Sequence, residues 1–496
     1  MEMKILTGKQ IREADRYTIR HEPIGSIALM ERASGAIARW IVSHTGRETP
    51  LLFFIGKGNN GGDGLAVARM LHDAGYVCAA CMLFDEDVLS GECRCNLERL
   101  PRGVKRFAQS DLPAVTPGTV IVDAMLGTGV HGCLSEPVLR AVRTINASGC
   151  RVISIDLPSG MLSEFGNAGR ETVRASVTLT LEFPKLALLL PEGGEAAGEV
   201  VVLPIGLSEE YKRQAVSAYH YADGAFVRRL VLPRARYAHK GTYGHALLVC
   251  GSKGMAGAAV LATGAALRSG CGLVSVRIPE NERFAVHVAC PSAIVSPDPE
   301  PVFSALPSDM EPYRAVGVGC GLGRHPLSAR ALGKLLHCGK PMVIDADALN
   351  IIASDADLLQ AVPEGALLTP HPGELRRLIG PWTDDEEKIG KVKRLSAEHG
   401  CIVVVKGAHT MICTPQGDLY FNASGNPGMA KGGSGDVLTG YLTGLLARGY
   451  DPLSAALSGV YIHGRAGDRA AGRYGQEGMN ASDLVEFLGE TFAGIE

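Results

Sequence analysis

The sequence predicts an α/β protein with two domains, and three observations lead to that prediction. Apolar strand patterns alternate with helical stretches, glycine-rich turns follow many of the strands, and a charged segment without strand alternation divides the series in two. Strands separated by helices favour a mostly parallel sheet with helices on both faces. At 496 residues the chain also exceeds what a single hydrophobic core usually supports.

The first strand series predicts a Rossmann-like three-layer αβα sandwich. Its patterns are LLFFIG from Leu51, YVCAACML from Tyr76, TVIVDAM from Thr119, RVISID from Arg151, SVTLTLE from Ser176 and EVVVLPIG from Glu199. The charged segment covers 207–239. We place the domain limit inside this segment, which predicts domains of 1–220 and 221–496.

The second series repeats the plan of a strand followed by a glycine turn. Its patterns are HALLVCG from His245, GLVSVRI from Gly272, RAVGVGCG from Arg314, PMVIDADALN from Pro341, ALLTPHPGE from Ala366, CIVVVKGAHT from Cys401 and LYFNASG from Leu419. No sequence repeat links the two series, so we interpret the chain as a fusion of two different α/β domains.

The net charge, the N-terminal pattern and the cysteine content indicate which partners and which cellular compartment to expect. The net charge is −3, which gives no reason to expect nucleic acid or a membrane surface as a partner. The N-terminus lacks the apolar core of a signal peptide, and the 13 scattered cysteines suit a reducing compartment, so we expect a cytoplasmic protein. Cys78 and Cys81 fall in a strand pattern on opposite faces, which favours buried thiols over a zinc site.

The first glycine cluster, GKGNNG at 56–61, matches the dinucleotide pattern G-x-G-x-x-G between a strand and a helix. Acidic residues at 85–86 end the next strand, where a ribose-binding acid would be expected. Two asparagines and Asp63 crowd the loop, however, and the Asp63 carboxylate would oppose a pyrophosphate. The alternative is an Asn/Gly turn in which Asp63 caps the helix.

Two further strand ends bring acidic and hydroxyl residues to the same edge of the predicted sheet. DAMLGTG begins at Asp123, and IDLPSG contains Asp156 and Ser159. With Asn60 they offer hard oxygen ligands that suit a weakly held cation such as potassium or magnesium. Asp156 could instead be only a turn-forming residue before Pro-Ser-Gly.

Together, GKGNNGGDG, DAMLGTG and IDLPSG resemble the NAD(P)H-hydrate epimerase domain across residues 1–215. The resemblance implies a potassium site at Asn60, Asp123 and Ser159, and it makes Asp156 a catalytic acid that contacts the substrate. The positions that it implies for binding the damaged cofactor are Asn59, Asn60, Gly61, Gly62, Asp63, Gly127, Thr128, Gly129, Val130, His131, Gly132, Cys133 and Asp156.

The second glycine cluster, GNPGMAKGGSGD at 425–436, is the most informative segment of the chain. Small residues let backbone N–H groups approach an anion, and the apolar helix that follows directs its positive end toward the same point. Asp436 would then deprotonate an acceptor hydroxyl during phosphoryl transfer, as in ribokinase-like enzymes. No Walker A motif is present, which excludes a P-loop protein. Asp436 could instead merely cap its helix.

Other strand ends of the second series supply further candidates. Asp345 is either a ligand or a helix cap, and His371 is either a turn residue or a catalyst. Lys406 ends a strand and is either a phosphate contact or an exposed cation. The turn at 251–252 precedes a helix of small residues, which indicates tight packing or a close ligand.

The motifs HKGTYG, GSKGMAGAA, LTPHPGE, KGAHT and GNPGMAKGGSGD resemble the ADP- or ATP-dependent NAD(P)H-hydrate dehydratases, which have a ribokinase-like αβα fold. The positions that the resemblance implies for the hydrate are Ala258, Gly321, His371 and Asp436. Those that it implies for the adenine nucleotide are Lys406, Gly407, Ala408, His409, Thr410 and Gly435.

The chain as a whole thus resembles the bifunctional NAD(P)H-hydrate repair enzymes. The resemblance implies epimerisation of R and S hydrates, dehydration of the S form at the expense of ADP or ATP, K⁺ in the first domain and Mg²⁺ with the nucleotide. We favour ADP as the donor and expect a homo-oligomer. Alternatives are a ribokinase-type small-molecule kinase fused to a dinucleotide-sensing domain, an inactive dinucleotide-binding module in the first half, and a dehydrogenase.

Overall fold

A computed structural model of the chain describes residues 3–111, 115–130 and 132–495. Internal contacts divide it into two compact units. The N-terminal unit comprises 4–217 with 384–386, and the C-terminal unit comprises most of the remainder. The division falls between Ser217 and Ala218, shortly before the predicted limit between 220 and 221.

The β-strands of the described residues, in chain order, are β1 Met3–Lys4, β2 Leu51–Ile55, β3 Cys78–Met82, β4 Lys105–Ala108, β5 Val120–Ala124, β6 Arg151–Ile155, β7 Val177–Leu181, β8 Glu199–Leu203, β9 Tyr219–Ala222, β10 His245–Val249, β11 Leu273–Pro279, β12 Ile294–Asp298, β13 Ala315–Val318, β14 Met342–Ile344, β15 Leu367–Leu368, β16 Ile402–Val405, β17 Met411–Cys413 and β18 Leu419–Asn422.

The α-helices are α1 Gly8–His21, α2 Ser26–His44, α3 Asn59–Asp73, α4 Gly91–Glu98, α5 Glu136–Ala147, α6 Leu186–Leu189, α7 Pro191–Ala197, α8 Glu209–Gln214, α9 Gly224–Val227, α10 Ala256–Arg268, α11 Arg283–Ala289, α12 Pro326–Leu336, α13 Ala346–Ile352, α14 Ala356–Gln360, α15 Pro372–Ile379, α16 Asp385–His399, α17 Ser434–Arg448, α18 Pro452–Gly478 and α19 Ala481–Ala493. Among the described residues, every helix is too short or too polar to span a bilayer.

The N-terminal sheet is parallel, in the order β4-β3-β2-β5-β6-β7-β8. Its central strand β2 is buried along its whole length. Leu51, Phe53 and Ile55 pack into one apolar cluster, whereas Leu52 and Phe54 pack into another. Since side chains alternate along a strand, both faces of the sheet are covered, as in a three-layer sandwich.

The C-terminal sheet has the order β1-β9-β18-β17-β16-β15-β14-β13-β10-β11-β12. The pairs β16–β17 and β17–β18 are antiparallel, whereas the strands from β16 to β12 pair in parallel. Helices α10 and α17 are rich in small residues and pack on this sheet, in the same apolar cluster as β10.

The sequence patterns located the long buried strands but missed several short ones. The segment 207–239 shows no strand alternation in the sequence, yet β9 lies inside it and pairs with β18. Its sequence, Tyr-His-Tyr-Ala, has only four residues and carries little periodicity. Cys78 and Cys81 are buried free thiols in two different apolar clusters, which confirms that they face opposite ways.

Candidate active sites

The first candidate site lies where the strand order of the N-terminal sheet reverses, between β2 and β5. Ligands of open parallel sheets bind in the crevice at such points. A cavity of about 470 Å³ is lined there by 57–60, by 125–130 and by one face of α1. The carboxyl ends of β2 and β5 therefore open into a space of the size that small ligands need.

The polar segment after β2 is helical, since α3 begins at Asn59 with Gly58 as its N-cap. The expectations of a loop around Asp63, and of Asp63 as a helix cap, are both wrong because Asp63 lies in the second turn of this helix. A Cβ built at Gly61 would lie 2.0 Å from the Gly56 carbonyl oxygen. Glycine at that position therefore lets the helix begin directly against the strand end.

Asp156 lies at the end of β6 with a positive φ of 67°, an uncommon conformation for a residue with a side chain. Its Oδ1 is 2.5 Å from Nζ of Lys185, a side chain that is 1% exposed. Lys185 also donates to Thr180 Oγ1 and to the Leu181 carbonyl, each at 3.0 Å. Asp156 therefore does more than form a turn, because its carboxylate pairs with a buried ammonium at the cavity wall.

The segments that contain Gly127 and Asn60, both singled out in the sequence, lie beside Asp156. A Cβ at Gly127 would lie 3.2 Å from Asp156 Oδ2 and 3.5 Å from Cγ of Asn60. The structure thus brings the ends of β2, β5 and β6 together at one point, as the sequence analysis expected.

The remaining predicted substrate positions divide into two sets. Those that line the cavity are Asn59, Asn60, Asp63, Gly127, Thr128, Gly129, Val130 and Asp156. Gly61, Gly62, Gly132 and Cys133 are described but are not part of its lining. His131 lies outside the described residues.

Two of the three proposed cation residues, Asp123 and Ser159, meet at a fully buried carboxylate. Asp123 accepts hydrogen bonds from the Ser159 hydroxyl at 2.6 Å, the Ser159 N–H at 2.8 Å, the Ser154 hydroxyl at 2.9 Å and the Met125 N–H at 3.2 Å. In the described part of the chain Asp123 has no basic partner, and Asn60 Nδ2 is buried without a hydrogen-bond partner. Burial raises the pKa of Asp123, while the Ser159 and Ser154 bonds oppose that shift.

Sequence reasoning missed several charged residues of this cavity, among them Asp15 and Lys185. Both carry a recognisable signal. Asp15 falls on the apolar stripe of α1 between Ile11 and Ile19, and Lys185 is the single cation in the apolar run LTLEFPKLALLL. A charge on an apolar face is costly unless it is paired or functional.

The second candidate site lies where the C-terminal strand order reverses, between β13 and β10. A Cβ built at Gly321 would lie 2.9 Å from the Ala258 Cβ, and the Ser252 hydroxyl donates to the Gly321 carbonyl at 2.8 Å. Ala258 and Gly321, two small residues that were predicted to contact the hydrate, are therefore neighbours, and larger side chains at either position would fill the space between them.

The GGSGD segment forms the start of α17, with Gly433 as N-cap at a φ of 94°. No side chain caps this helix, and Asp436 is its third residue, so the alternative that Asp436 is a cap is wrong. The first-turn N–H groups of a helix lack intrahelical acceptors and favour an anion. Burial raises the pKa of Asp436, and a hydrogen bond from the Cys320 thiol opposes the shift.

Lys406 lies beside that helix start. Its Nζ is 2.8 Å from Asp345 Oδ1 and 3.8 Å from Glu374, and it would lie 3.3 Å from a Cβ at Gly435. Asp345 also accepts from the Thr439 hydroxyl at 2.7 Å and makes no side-chain cap bond, so its carboxylate belongs to the ion pair. Burial lowers the pKa of Lys406, but the neighbouring carboxylates outweigh burial and raise it overall.

His371 caps α15, as the turn interpretation expects, and its contact with the hydrate stays a prediction. Its Nδ1 accepts from the Gly373 and Glu374 N–H groups at 2.9 and 3.3 Å, and its Nε2 is 3.3 Å from Glu374 Oε1.

The predicted nucleotide segment 407–410 forms a turn after β16, closed by the Thr410 hydroxyl donating to the Gly407 carbonyl at 3.2 Å.

Comparisons with known proteins match both halves. The family described as YjeF-related protein N-terminus matches residues 26–187, and the family described as NAD(P)H-hydrate dehydratase matches 246–489. The chain is 34% identical over 521 aligned residues to the bifunctional NAD(P)H-hydrate repair enzyme of Moorella thermoacetica, covering 100% of this chain and 97% of the relative.

Two solved structures resemble the C-terminal unit. The ADP/ATP-dependent NAD(P)H-hydrate dehydratase of Bacillus subtilis, co-crystallised with ATP and Mg²⁺, is 31% identical, with a TM-score of 0.50 over 56% of this chain and 98% of its own. A ribokinase-like superfamily protein of Enterococcus faecalis is 25% identical, with a TM-score of 0.51 over 57% and 98%. The predicted α/β fold class, with a ribokinase-like C-terminal domain, is confirmed.

Proposed function

The chain belongs to the family of bifunctional NAD(P)H-hydrate repair enzymes, and on that premise we propose that it restores hydrated NADH and NADPH in two reactions. The N-terminal unit interconverts the R and S epimers, and the C-terminal unit dehydrates the S form at the expense of ADP. One observation supports this most: each unit places an acid, Asp156 or Asp436, at the point where its strand order reverses.

In the epimerase unit, Asp156 assists the loss and return of the hydroxyl group. The hydrate carries this hydroxyl on a carbon bonded to the ring nitrogen, so its departure leaves a cation that the nitrogen lone pair stabilises. A carboxylate at the wall of the cavity favours such a cation electrostatically. Lys185 fixes the orientation of Asp156 through the buried ion pair.

Potassium is our proposed cation for the group of Asn60, Asp123 and Ser159. A fully buried carboxylate without a basic partner among the described residues fits a site for a weakly held monovalent ion, and the side-chain oxygen of Asn60, in the first turn of α3 after the neighbouring strand β2, would complete it. The residues supply oxygen ligands, and the two hydroxyls that now donate to Asp123 can turn their lone pairs toward an ion. When bound, the ion would order the strand ends that hold the substrate.

In the dehydratase unit, the nucleotide gives its terminal phosphoryl group to the hydroxyl of the S epimer. Asp436 accepts the hydroxyl proton, and the first-turn N–H groups of α17 stabilise the charge on the moving phosphoryl group. The phosphate then leaves by elimination, which regenerates the ring double bond. Ala258, Gly321 and His371 would contact the hydrate, while Gly435 and 406–410 would bind the nucleotide.

Mg²⁺ is proposed to accompany the nucleotide. No cluster of three or more His, Cys, Asp or Glu side chains suited to a metal ion occurs in 3–111, 115–130 or 132–495. This fits an ion that enters on phosphates and takes only one or two protein carboxylates. Asp345 and Glu374, which flank Lys406, are the residues that would hold it, and the ion would neutralise phosphate charge.

Three further proposals concern the donor, the assembly and the compartment. We propose ADP as the donor, giving AMP and phosphate, a homo-oligomeric assembly, and the cytoplasm. The cysteines are all free thiols, which supports a reducing compartment.

The decisive experiment supplies hydrated NADH as mixed epimers to the full chain, with ADP or ATP and with or without potassium. We expect both epimers to be consumed, NADH to appear with one phosphate released per NADH, and potassium to accelerate only the consumption of the R form. A stable phosphorylated product would instead identify a ribokinase-type kinase. Consumption of the S form alone would identify the N-terminal unit as a binding module.

A further inference from the structure

Three carboxyl groups besides Asp156 line the N-terminal cavity, and one of them, Asp15, reaches it from helix α1. Helix α1 lines the cavity through Ile11, Arg12, Asp15 and Ile19, which lie on one helical face. Asp15 therefore faces the same space as Asp156, although one residue comes from a helix and the other from a strand end.

Helix α1 is held firmly against the strand-end loops. Thr7 and Gln10 form a capping box at its start. The Gly8 N–H donates to Glu164 Oε1 at 3.3 Å, and a Cβ at Gly8 would lie 3.3 Å from the Thr128 carbonyl oxygen. Asp15 lies two turns further along this anchored helix, so its position relative to the cavity is fixed rather than adjustable.

Lys185 is unsuited to exchange protons with a ligand. It is 1% exposed, and its ammonium already has three partners in Asp156, Thr180 and Leu181. An ammonium has three donors, so Lys185 would have to break a buried bond before it could donate elsewhere. Its role is to position Asp156.

Asp63 is also less suited than Asp15. It is 8% exposed, and its Oδ1 accepts from the buried Ser34 hydroxyl at 3.3 Å beneath the first turns of α3. Glu92 lines the cavity from α4 and accepts from the Ser26 hydroxyl at 3.0 Å. Asp15 is only partly buried and is the carboxyl group that can meet a ligand from the side of α1.

Epimerisation imposes a stereochemical demand on these groups. The hydroxyl must leave from one face of the carbon, and water must return to the other face. A single carboxyl group on one wall serves both faces only if the ring turns over in the cavity. We propose that Asp15 is a second catalytic residue of the epimerase and forms an acid–base pair with Asp156 across the two faces of the reacting carbon. This inference rests on the proposed epimerase activity.

The reaction balances without any further reagent. Asp15 gives its proton to the hydroxyl oxygen, the C–O bond breaks, and water departs with the bonding electrons while the ring nitrogen lone pair forms a C=N bond. A water molecule then adds to the opposite face of the carbon, and Asp156 takes the proton that this water loses. The C=N electrons return to nitrogen, and proton exchange with solvent resets the pair. The reverse epimerisation uses the two carboxyl groups in exchanged roles.

The electrostatic surroundings of Asp15 suit this task. Burial and then the Asp156 carboxylate raise the pKa of Asp15 to about 6, Lys185 opposes the shift and Glu182 adds to it. A catalytic acid works best when its pKa lies near the operating pH. The other charged side chains that line this cavity are Arg12, Lys57, Asp63 and Glu92. Since Asp15 acts in its protonated form, the rate should be full below pH 6 and decline as the pH rises through that value.

The test uses the full chain, the purified R epimer of hydrated NADH and no nucleotide, with S formation followed by chromatography and corrected for the uncatalysed rate. We expect Asp15→Asn to lower kcat by roughly 10²–10⁴-fold with little change in KM. Asp15→Glu should restore part of the rate, and the decline above pH 6 should be absent from Asp15→Asn. Glu13→Gln is the matched control, because Glu13 is a partly buried acid on α1 outside the cavity lining. Its kcat should stay within twofold.

The same polypeptide supplies a control for folding. Dehydration of the S epimer by each variant should match the wild type, since Asp15 belongs to the N-terminal unit. An Asp15→Asn rate within threefold of wild type, with the same pH profile, would overturn the proposal. If this variant melts early, the wild-type profile decides, because a flat rate between pH 5 and 7.5 also overturns it. A wild-type chain that is no faster than the uncatalysed reaction would refute the epimerase function itself, which separates the two failures.

Discussion

Each unit has one lysine beside its candidate catalytic acid, and the two lysines differ in what they can do. Lys185 is 1% exposed and its three donors are all used inside the protein. Lys406 is 22% exposed, and its closest carboxylates are Asp345 at 2.8 Å and Glu374 at 3.8 Å. Both lysines pair with an aspartate, yet one is locked and the other can extend toward a phosphate.

This difference shows how one sheet architecture accommodates two reactions. In both sheets the site lies where the strand order reverses. In the proposed epimerisation only protons and water move at the reacting carbon, which a locked lysine can serve by holding Asp156 in place. The proposed dehydration also moves a phosphoryl group, and the C-terminal site has a partly exposed ammonium beside the N-terminus of α17.

The largest effect should come from Asp436→Asn. Removing the base should lower dehydration by roughly 10²–10⁴-fold and leave epimerisation unchanged, measured by NADH formation and R-to-S conversion on the same sample. Asp483→Asn is the control, because Asp483 occupies the same third position of its helix as a capping partner of Asn480. That variant should lose about 1 kcal/mol of stability and keep its activity. Substantial dehydration by Asp436→Asn would remove the assigned base.

The next largest effect should be the loss of stability when the buried lysine of the N-terminal unit, Lys185, is replaced. Lys185→Met should destabilise the N-terminal unit by about 3–5 kcal/mol, because it leaves the Asp156 carboxylate without its buried partner. Urea unfolding, with epimerisation as a second readout, measures this. Arg143→Met breaks the exposed pair with Glu171 and should hardly move the unfolding midpoint. Equal midpoints for both variants would contradict the structural role of Lys185.

Lys406→Met should weaken nucleotide binding by the C-terminal unit, and it should not affect the stability of the N-terminal unit. Loss of a charge-assisted bond of about 1.5–3 kcal/mol to phosphate should raise the KM for the nucleotide roughly 10–100-fold, with the KM for the hydrate much less affected. Lys391→Met is the control, since Lys391 has a comparable exposure of 27% and pairs with Glu387. An unchanged nucleotide KM in Lys406→Met would show that Lys406 only stabilises the fold.

The smallest effect concerns the proposed potassium site. Potassium at tenfold excess over its Kd should stabilise the N-terminal unit by about 1.4 kcal/mol, seen as a higher thermal midpoint in KCl than in choline chloride of equal ionic strength. Asn60→Ala should abolish the difference. If that variant responds to potassium as the wild type does, the ion binds elsewhere.

Sequence reasoning located Asp156 at a strand end and Asp436 in a glycine-rich segment before a helix, and the structure places both at such ends. Their catalytic roles stay predictions. Sequence reasoning failed on local backbone detail at Asp63, where helix α3 starts earlier than the pattern indicates. It left Asp345 and His371 open, because a helix cap and a ligand have the same sequence signature.

By itself the sequence determined the order of the long buried strands, the two-domain plan and the positions of the glycine-rich turns, because these follow from periodicity and from residues with particular backbone freedom. Only the tertiary structure decided which side chains become neighbours. Lys185 pairs with Asp156 from the segment after β7, and Asp15 lines the same cavity from α1, far away along the chain. Such contacts depend on sheet order and helix placement, which no local pattern encodes.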